Sequence, residues 1–107
     1  MIAKTPEPPY YAVIFTTVLS DDIKGYAEMS DRMVEFVKMQ EGFLGYESAR
    51  EEIGITISYW DSLESIAKWR NHSEHTIARE KGISRWYSSF KTRVCKVERD
   101  NGFVKEV

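Results

Sequence analysis

A single cysteine, Cys95, among 107 residues leaves no partner for an internal disulfide, so the core alone must hold the fold, without the cross-links of small secreted domains. Cys95 lies in the strand-like stretch FKTRVCKVE, where a half-buried, unreactive thiol is expected, because no cationic helix end flanks it to lower its pKa. Charge of one sign is lacking too. Fifteen Lys and Arg stand against 17 Asp and Glu, a formal net charge of −2, which gives no footprint for nucleic acid or an anionic membrane. No apolar run reaches membrane-spanning length, and the start, MIAKTPEPPYY, has no apolar stretch of the signal-peptide kind; the expected location is the cytoplasm. Neither GxGxxG nor GxxxxGK[ST] occurs, which removes the usual dinucleotide and nucleotide sites. The chain is the size of one domain, 1–107, with no room for a separate cofactor-binding unit.

What the sequence does have is tryptophan and histidine, gathered in one third of its length. Ile55 to Phe90 holds all three tryptophans (Trp60, Trp69, Trp86) and both histidines (His72, His75). The prolines are confined to residues 1–9, an arm that can form neither helix nor central strand. Tyr10 to Leu19 is short, β-branched and aromatic, a strand apolar on both faces. Ser20 is a candidate N-cap, with Asp21 and Asp22 in a first helical turn. Ile23, Tyr26, Ala27, Met33, Val34 and Val37 then form an apolar stripe on a helix to about Met39, with Gly42 beyond its end. Phe43 to Arg50 and Ile53 to Trp60 read as an antiparallel hairpin. Asp61 followed by Glu64 has capping-box spacing for a second helix, which Asn71 to Glu74 interrupts. A further turn carries Trp86 and Tyr87, Phe90 to Arg99 alternates as a last strand, and 100–107 is a polar tail.

This β-α-β-β-α-β order fits a ferredoxin-like α+β fold, a four-stranded antiparallel sheet with helices on one face. The first strand then leaves an apolar sheet face uncovered, which predicts a homodimer packed sheet to sheet. An RNA-recognition domain shares the element order, but FKTRVCKVE lacks its aromatic, glycine-containing basic strand motif. His72 and His75 at three-residue spacing have no third ligand at a recognised distance, so no metal is expected; the plainer reading is that one histidine faces solvent and the other lines a pocket or caps the helix. No nucleophile signature surrounds Ser73 or Cys95. The remaining candidate is a pocket for a small hydrophobic or aromatic ligand, with Trp60, Trp69, Trp86 and Tyr87 as its wall and His72, His75 and Arg79 as its polar tips. These aromatics are expected together on one side of the helical layer.

The run SYWDSLESIAKWRNHSEHTIAREKG, then SRWYSSFKTRVCKVER, with QEGFLGYESAR before them, resembles the antibiotic biosynthesis monooxygenase family of dimeric α+β barrels. The W-x₂-H-x₂-H spacing of Trp69, His72 and His75 is similar to one bacterial branch. The resemblance implies oxygen insertion into a small aromatic, polyketide or quinol-like compound without metal or flavin, the substrate itself supplying electrons to O₂. His72 or His75 would be the base, since histidine alone titrates near neutrality. The heme-degrading branch of the family uses an asparagine in the first strand, a tryptophan in the second helix and an iron-ligating histidine ten residues later. Here Trp69 matches, but Arg79 stands at the ligand position and the asparagines are Asn71 and Asn101, so heme is disfavoured and would be expected only with His72 or His75 as the iron ligand instead. A function of another class, a non-catalytic module that binds a hydrophobic ligand, fits the same residues.

Overall fold

The computed structural model describes residues 1–106, apart from the side chain of Ser73. Eight elements follow one another: β1 (Tyr10–Leu19), α1 (Tyr26–Lys38), β2 (Phe43–Arg50), β3 (Gly54–Trp60), α2 (Leu63–Arg70), α3 (Ser73–Lys81), a π-helical turn (Gly82–Trp86) and β4 (Tyr87–Val97). The strands form one antiparallel sheet in the order β2-β3-β1-β4, the expected ferredoxin-like α+β fold.

Register assigns the two sheet faces, because residues paired across strands point the same way. Tyr11 and Trp60, Val13 with Ser58 and Val94, and Phe15 with Thr56 and Thr92 share one face. Val94 borders α2 and α3, and Phe15 meets Tyr87, which meets Tyr26 of α1, so this face carries the helices. Ala12 with Tyr59 and Cys95, Ile14 with Ile57 and Arg93, and Thr16 with Ile55 and Lys91 make the other face. That face is apolar along β1 and β3 and charged along β4. Its upper end is covered by the chain's own termini. Thr5 Oγ1 donates to the Tyr10 hydroxyl at 3.0 Å, Tyr10 donates to Asp100, and the Ala3 N–H donates to Glu47 at 2.9 Å. Tyr10 and Ala12 are buried beneath these contacts, while Ile55 lower down is 38% exposed. Cys95 is exposed there, not half-buried as its strand suggested, because β4 is an edge strand of the sheet.

Several helix boundaries differ from expectation for local reasons. Ser20 does not cap α1: its Oγ accepts the Asp22 N–H at 3.2 Å and its hydroxyl donates to the Arg85 carbonyl, binding the loop to the π-helical turn. The helix starts one turn later behind Gly25, at φ 83° with no side-chain cap. Ile23 is thereby left outside the helix and 49% exposed, and Ala27 also faces water. Val37 is the buried residue of the stripe, with Tyr26, Met33 and Val34 half-buried. Ser62, not Asp61, caps α2 by accepting the Ser65 N–H at 3.1 Å, and Asp61 instead accepts the Ser65 hydroxyl at 2.8 Å. Gly42 closes this corner at φ 86°, where any Cβ would lie 2.1 Å from Ser65 Oγ. The hairpin's second strand begins at Gly54 rather than Ile53. β4 begins at Tyr87 rather than Phe90, because the π-helical turn returns the chain to the sheet three residues early.

Candidate functional site

The aromatic residues do not form one wall. The structure divides them into three groups, which corrects the single pocket expected from the sequence. Trp60, ending β3, is 1% exposed. It donates Nε1–H to Ser58 Oγ at 2.9 Å and meets the Phe43 ring edge-on at 5.4 Å. With its one polar atom satisfied and its ring enclosed, it is a core residue.

The second group joins Trp86 and Tyr87 to the start of α1. Trp86 donates Nε1–H to the Lys24 carbonyl at 2.9 Å and packs edge-on against Tyr26 at 5.6 Å. Tyr87 touches Tyr26, Phe15 and Phe90 at 5.6 to 5.9 Å, and Gly82 leaves room for its ring, since a Cβ there would sit 2.5 Å from Tyr87 Cε2. Burial, reinforced by the neighbouring Tyr26, pushes the Tyr87 phenol far above its ordinary value, and Arg50 opposes this in part. The Arg50 guanidinium donates to Thr17 and to the Tyr26 hydroxyl and lies 5.9 Å from the centre of the Tyr26 ring. Sequence spacing does not reveal Arg50 or Tyr26 as members of this group, since a hairpin end and a helix start meet only in the folded chain.

The third group is the one with acid–base chemistry. Trp69, near the end of α2, stacks on His75 at 4.9 Å with 20° between the planes, and lies 5.4 Å from His72. Phe36 of α1 closes it, 5.9 Å from the His72 ring. Phe36 lies outside the apolar stripe read from the sequence, although its place three residues beyond Met33 on α1 could have shown it. The Glu74 to Arg32 ion pair, 4.0 Å, joins α3 to α1. The two histidines hold different positions. His72 is the N-cap of α3: its Nδ1 accepts the Glu74 N–H at 3.3 Å, which leaves the ring proton on Nε2. His75 lies one turn into the helix, and its buried Nδ1 has no hydrogen-bond partner. Burial lowers the His75 pKa below the ordinary 6.5, the charges of Arg79 and His72 act the same way, and the nearby carbonyls of Arg70 and Trp69 oppose them. His75 is thus a neutral imidazole at pH 7.

Arg79, whose charge reaches His75, also lines a different feature. It borders a surface cleft of about 380 Å³ with Leu63, Ile66, Ala67, Arg70, Asn71 and Val94. Among the described residues no three His, Cys, Asp or Glu side chains are placed to hold a metal ion, and no helix is long and apolar enough to cross a membrane.

A ferredoxin-like α+β domain with an aromatic-histidine cluster in its helical layer defines the class. Residues 9–81 match the family described as antibiotic biosynthesis monooxygenase, and the chain belongs to that family. It is 55% identical over 104 residues to the uncharacterised protein YqjZ of Bacillus subtilis, covering 95% of this chain and 91% of that one. Its fold is similar to that of Rv0793 from Mycobacterium tuberculosis, with a TM-score of 0.75 at 13% identity over 88% of this chain and 99% of the other. It is also similar to that of SnoaB from Streptomyces nogalater, a cofactor-independent oxygenase, with a TM-score of 0.73 at 9% identity over 85% and 95% of the two chains.

Proposed function

We propose that the chain is a cofactor-independent monooxygenase acting on a small aromatic or quinol-like compound, with His75 as its base. The observation that carries the reading is the His75 ring itself, stacked on Trp69 at 4.9 Å and held neutral by burial. A neutral imidazole has one ring nitrogen able to take a proton from a phenol or from an activated ring CH₂. The resulting anion is electron-rich enough to reduce O₂ directly. One oxygen atom becomes a carbonyl on the substrate carbon and the other leaves as water with two substrate hydrogens, so all four electrons that reduce O₂ come from the substrate. Trp69 holds the imidazole plane, and His72, its Nδ1 engaged by the helix cap, holds the start of α3. Heme chemistry is the less favoured alternative, because Arg79, at the position of the heme-degrading branch's iron ligand, has no lone pair to give to iron and His72 or His75 would have to take that place. Family membership and the likeness to SnoaB support oxygen chemistry. A homodimer packed through the open sheet face is part of the proposal, supported by the exposed apolar Ile55 beside Ile57 and Thr16.

One observation favours a second reading, the non-catalytic binding module. Neither histidine lines the surface clefts beside α2 and beside α1, so a ligand held there would not reach His75. Oxygen uptake separates the two. With anthrone or a hydroquinone, the wild-type protein consumes O₂ above the buffer rate and His75→Ala loses about 10²-fold, the usual scale of a general base. A wild-type protein with no uptake over a panel of such substrates establishes the binding module instead.

A further inference from the structure

The cleft beside α2 has a chemistry of its own. Its wall is aliphatic, made by Leu63, Ile66 and Ala67 along one face of α2 and by Val94 across from them on β4. Its rim is cationic and polar: Arg70 and Asn71 at the end of α2, and Arg79 on α3. Leu63 and Val94 are about half exposed, at 51% and 52%, so water covers apolar surface that a ligand would displace. Neither guanidinium forms an ion pair or a side-chain hydrogen bond with any of the described residues, whereas Arg32 and Arg85 each have a carboxylate partner. Two unpaired guanidinium groups on the rim of one apolar cleft attract an anion, and the aliphatic wall selects one with an apolar body. The volume, about 380 Å³, lies at the small end of ligand pockets, which run from about 300 to 1,000 Å³.

We infer that this cleft binds an amphipathic monoanion, a carboxylate carried on an aliphatic or single-ring body, with Arg70 and Arg79 on the carboxylate and Leu63, Ile66, Ala67 and Val94 on the body. The inference stands apart from the oxygen chemistry, since neither histidine borders the cleft, and it holds whether or not the chain turns over a substrate.

Calorimetric titration of the full chain with octanoate, with 1-octanol as the uncharged control, tests it. Wild-type protein should bind one octanoate per chain, and 1-octanol at least about tenfold more weakly, the scale of one charged hydrogen bond. Arg70→Gln and Arg79→Gln should each weaken octanoate by about tenfold or more while keeping the wild-type circular dichroism and melting temperature, because neither side chain bonds to the fold. Ala67→Phe keeps both charges but fills the cleft, and should lose octanoate as well. The inference is overturned if wild-type protein binds no octanoate at millimolar concentration, or if the octanol is bound equally well. It is overturned too if Ala67→Phe binds as wild-type does, which would mean that surface charge alone attracts the anion. If Arg70→Gln together with Arg79→Gln turns a dimer into a monomer in sedimentation, the cleft belongs to a second copy of the chain and the inference fails.

Discussion

Two aromatic clusters occupy the helical side of the same sheet, and burial acts on them in opposite senses. In the cluster of Trp86, Tyr87 and Tyr26, loss of water disfavours the phenolate, so Tyr87 holds its proton throughout the physiological range. In the cluster of Trp69, His72 and His75, loss of water disfavours the imidazolium, so His75 is without its extra proton at neutrality. The same physical effect keeps a phenol protonated in one place and an imidazole unprotonated in the other. The distinction lies in where each group begins: a phenol ordinarily titrates at 10.0 and is pushed away from neutrality, whereas an imidazole ordinarily titrates at 6.5 and stays within reach of it. An aromatic-rich segment is therefore not evenly functional, and the titratable neighbour decides which part can react.

The comparison predicts unequal costs of mutation. Trp86 is 3% exposed, and Trp86→Ala should cost about 3–5 kcal/mol of stability in denaturant titration, as for buried aromatic groups generally. Trp69 is only half-buried, and Trp69→Ala should cost about 1–3 kcal/mol. Equal costs at the two positions would remove the division into a structural and a chemical cluster.

A second contrast appears in acid. The unfolded chain's histidine binds a proton near 6.5, and the folded His75 binds it only at lower pH. The unfolded state therefore carries more protons in the window between the two, and stability falls as pH drops through it and is unaffected above it. His75→Gln should lose less stability than wild-type between about pH 7.5 and 5.5, measured by the denaturant midpoint. An identical loss in both proteins contradicts the burial of a neutral His75.

His72 should behave as a cap and not as a base. His72→Ala should cost about 1 kcal/mol, His72→Asn should recover most of it because asparagine caps helices well, and neither should change oxygen uptake. The smallest effect belongs to the far face of the sheet. Tyr59 donates to Glu47 at 2.7 Å; burial, with that carboxylate, pushes its phenol to about 12. Tyr59→Phe should cost about 0.5–1.5 kcal/mol in the same titration and leave any turnover intact, as for one hydrogen bond.

Much of the architecture was legible because it follows from periodicity. Tyr10 to Leu19 has the composition of a strand whatever surrounds it, and the interruption at Asn71 to Glu74 is where α2 ends and α3 begins. The boundaries slipped where one polar side chain had two possible partners. Ser20 bonds across to Arg85 instead of capping α1, and Asp61 takes the Ser65 hydroxyl while Ser62 takes its N–H. In the site, the three-residue spacing of Trp69, His72 and His75 correctly gathers those rings, because residues three or four apart lie on one side of a helix. Trp86 and Tyr87 follow closely in sequence, yet the π-helical turn rotates them toward α1. Arg79, one turn beyond His75, points instead to the cleft with Arg70. Arg50 carried no local signal at all.

The central claim, a neutral and unpartnered His75 at physiological pH, is tested most directly by following the imidazole ¹⁵N shifts of both histidines through a pH titration, assigned with His72→Asn and His75→Gln. The account predicts a His75 midpoint below the ordinary 6.5, with the ring neutral at pH 7. A His75 midpoint at or above 6.5 would contradict it, because the imidazole would then be solvated or paired and no longer a buried neutral ring stacked on Trp69.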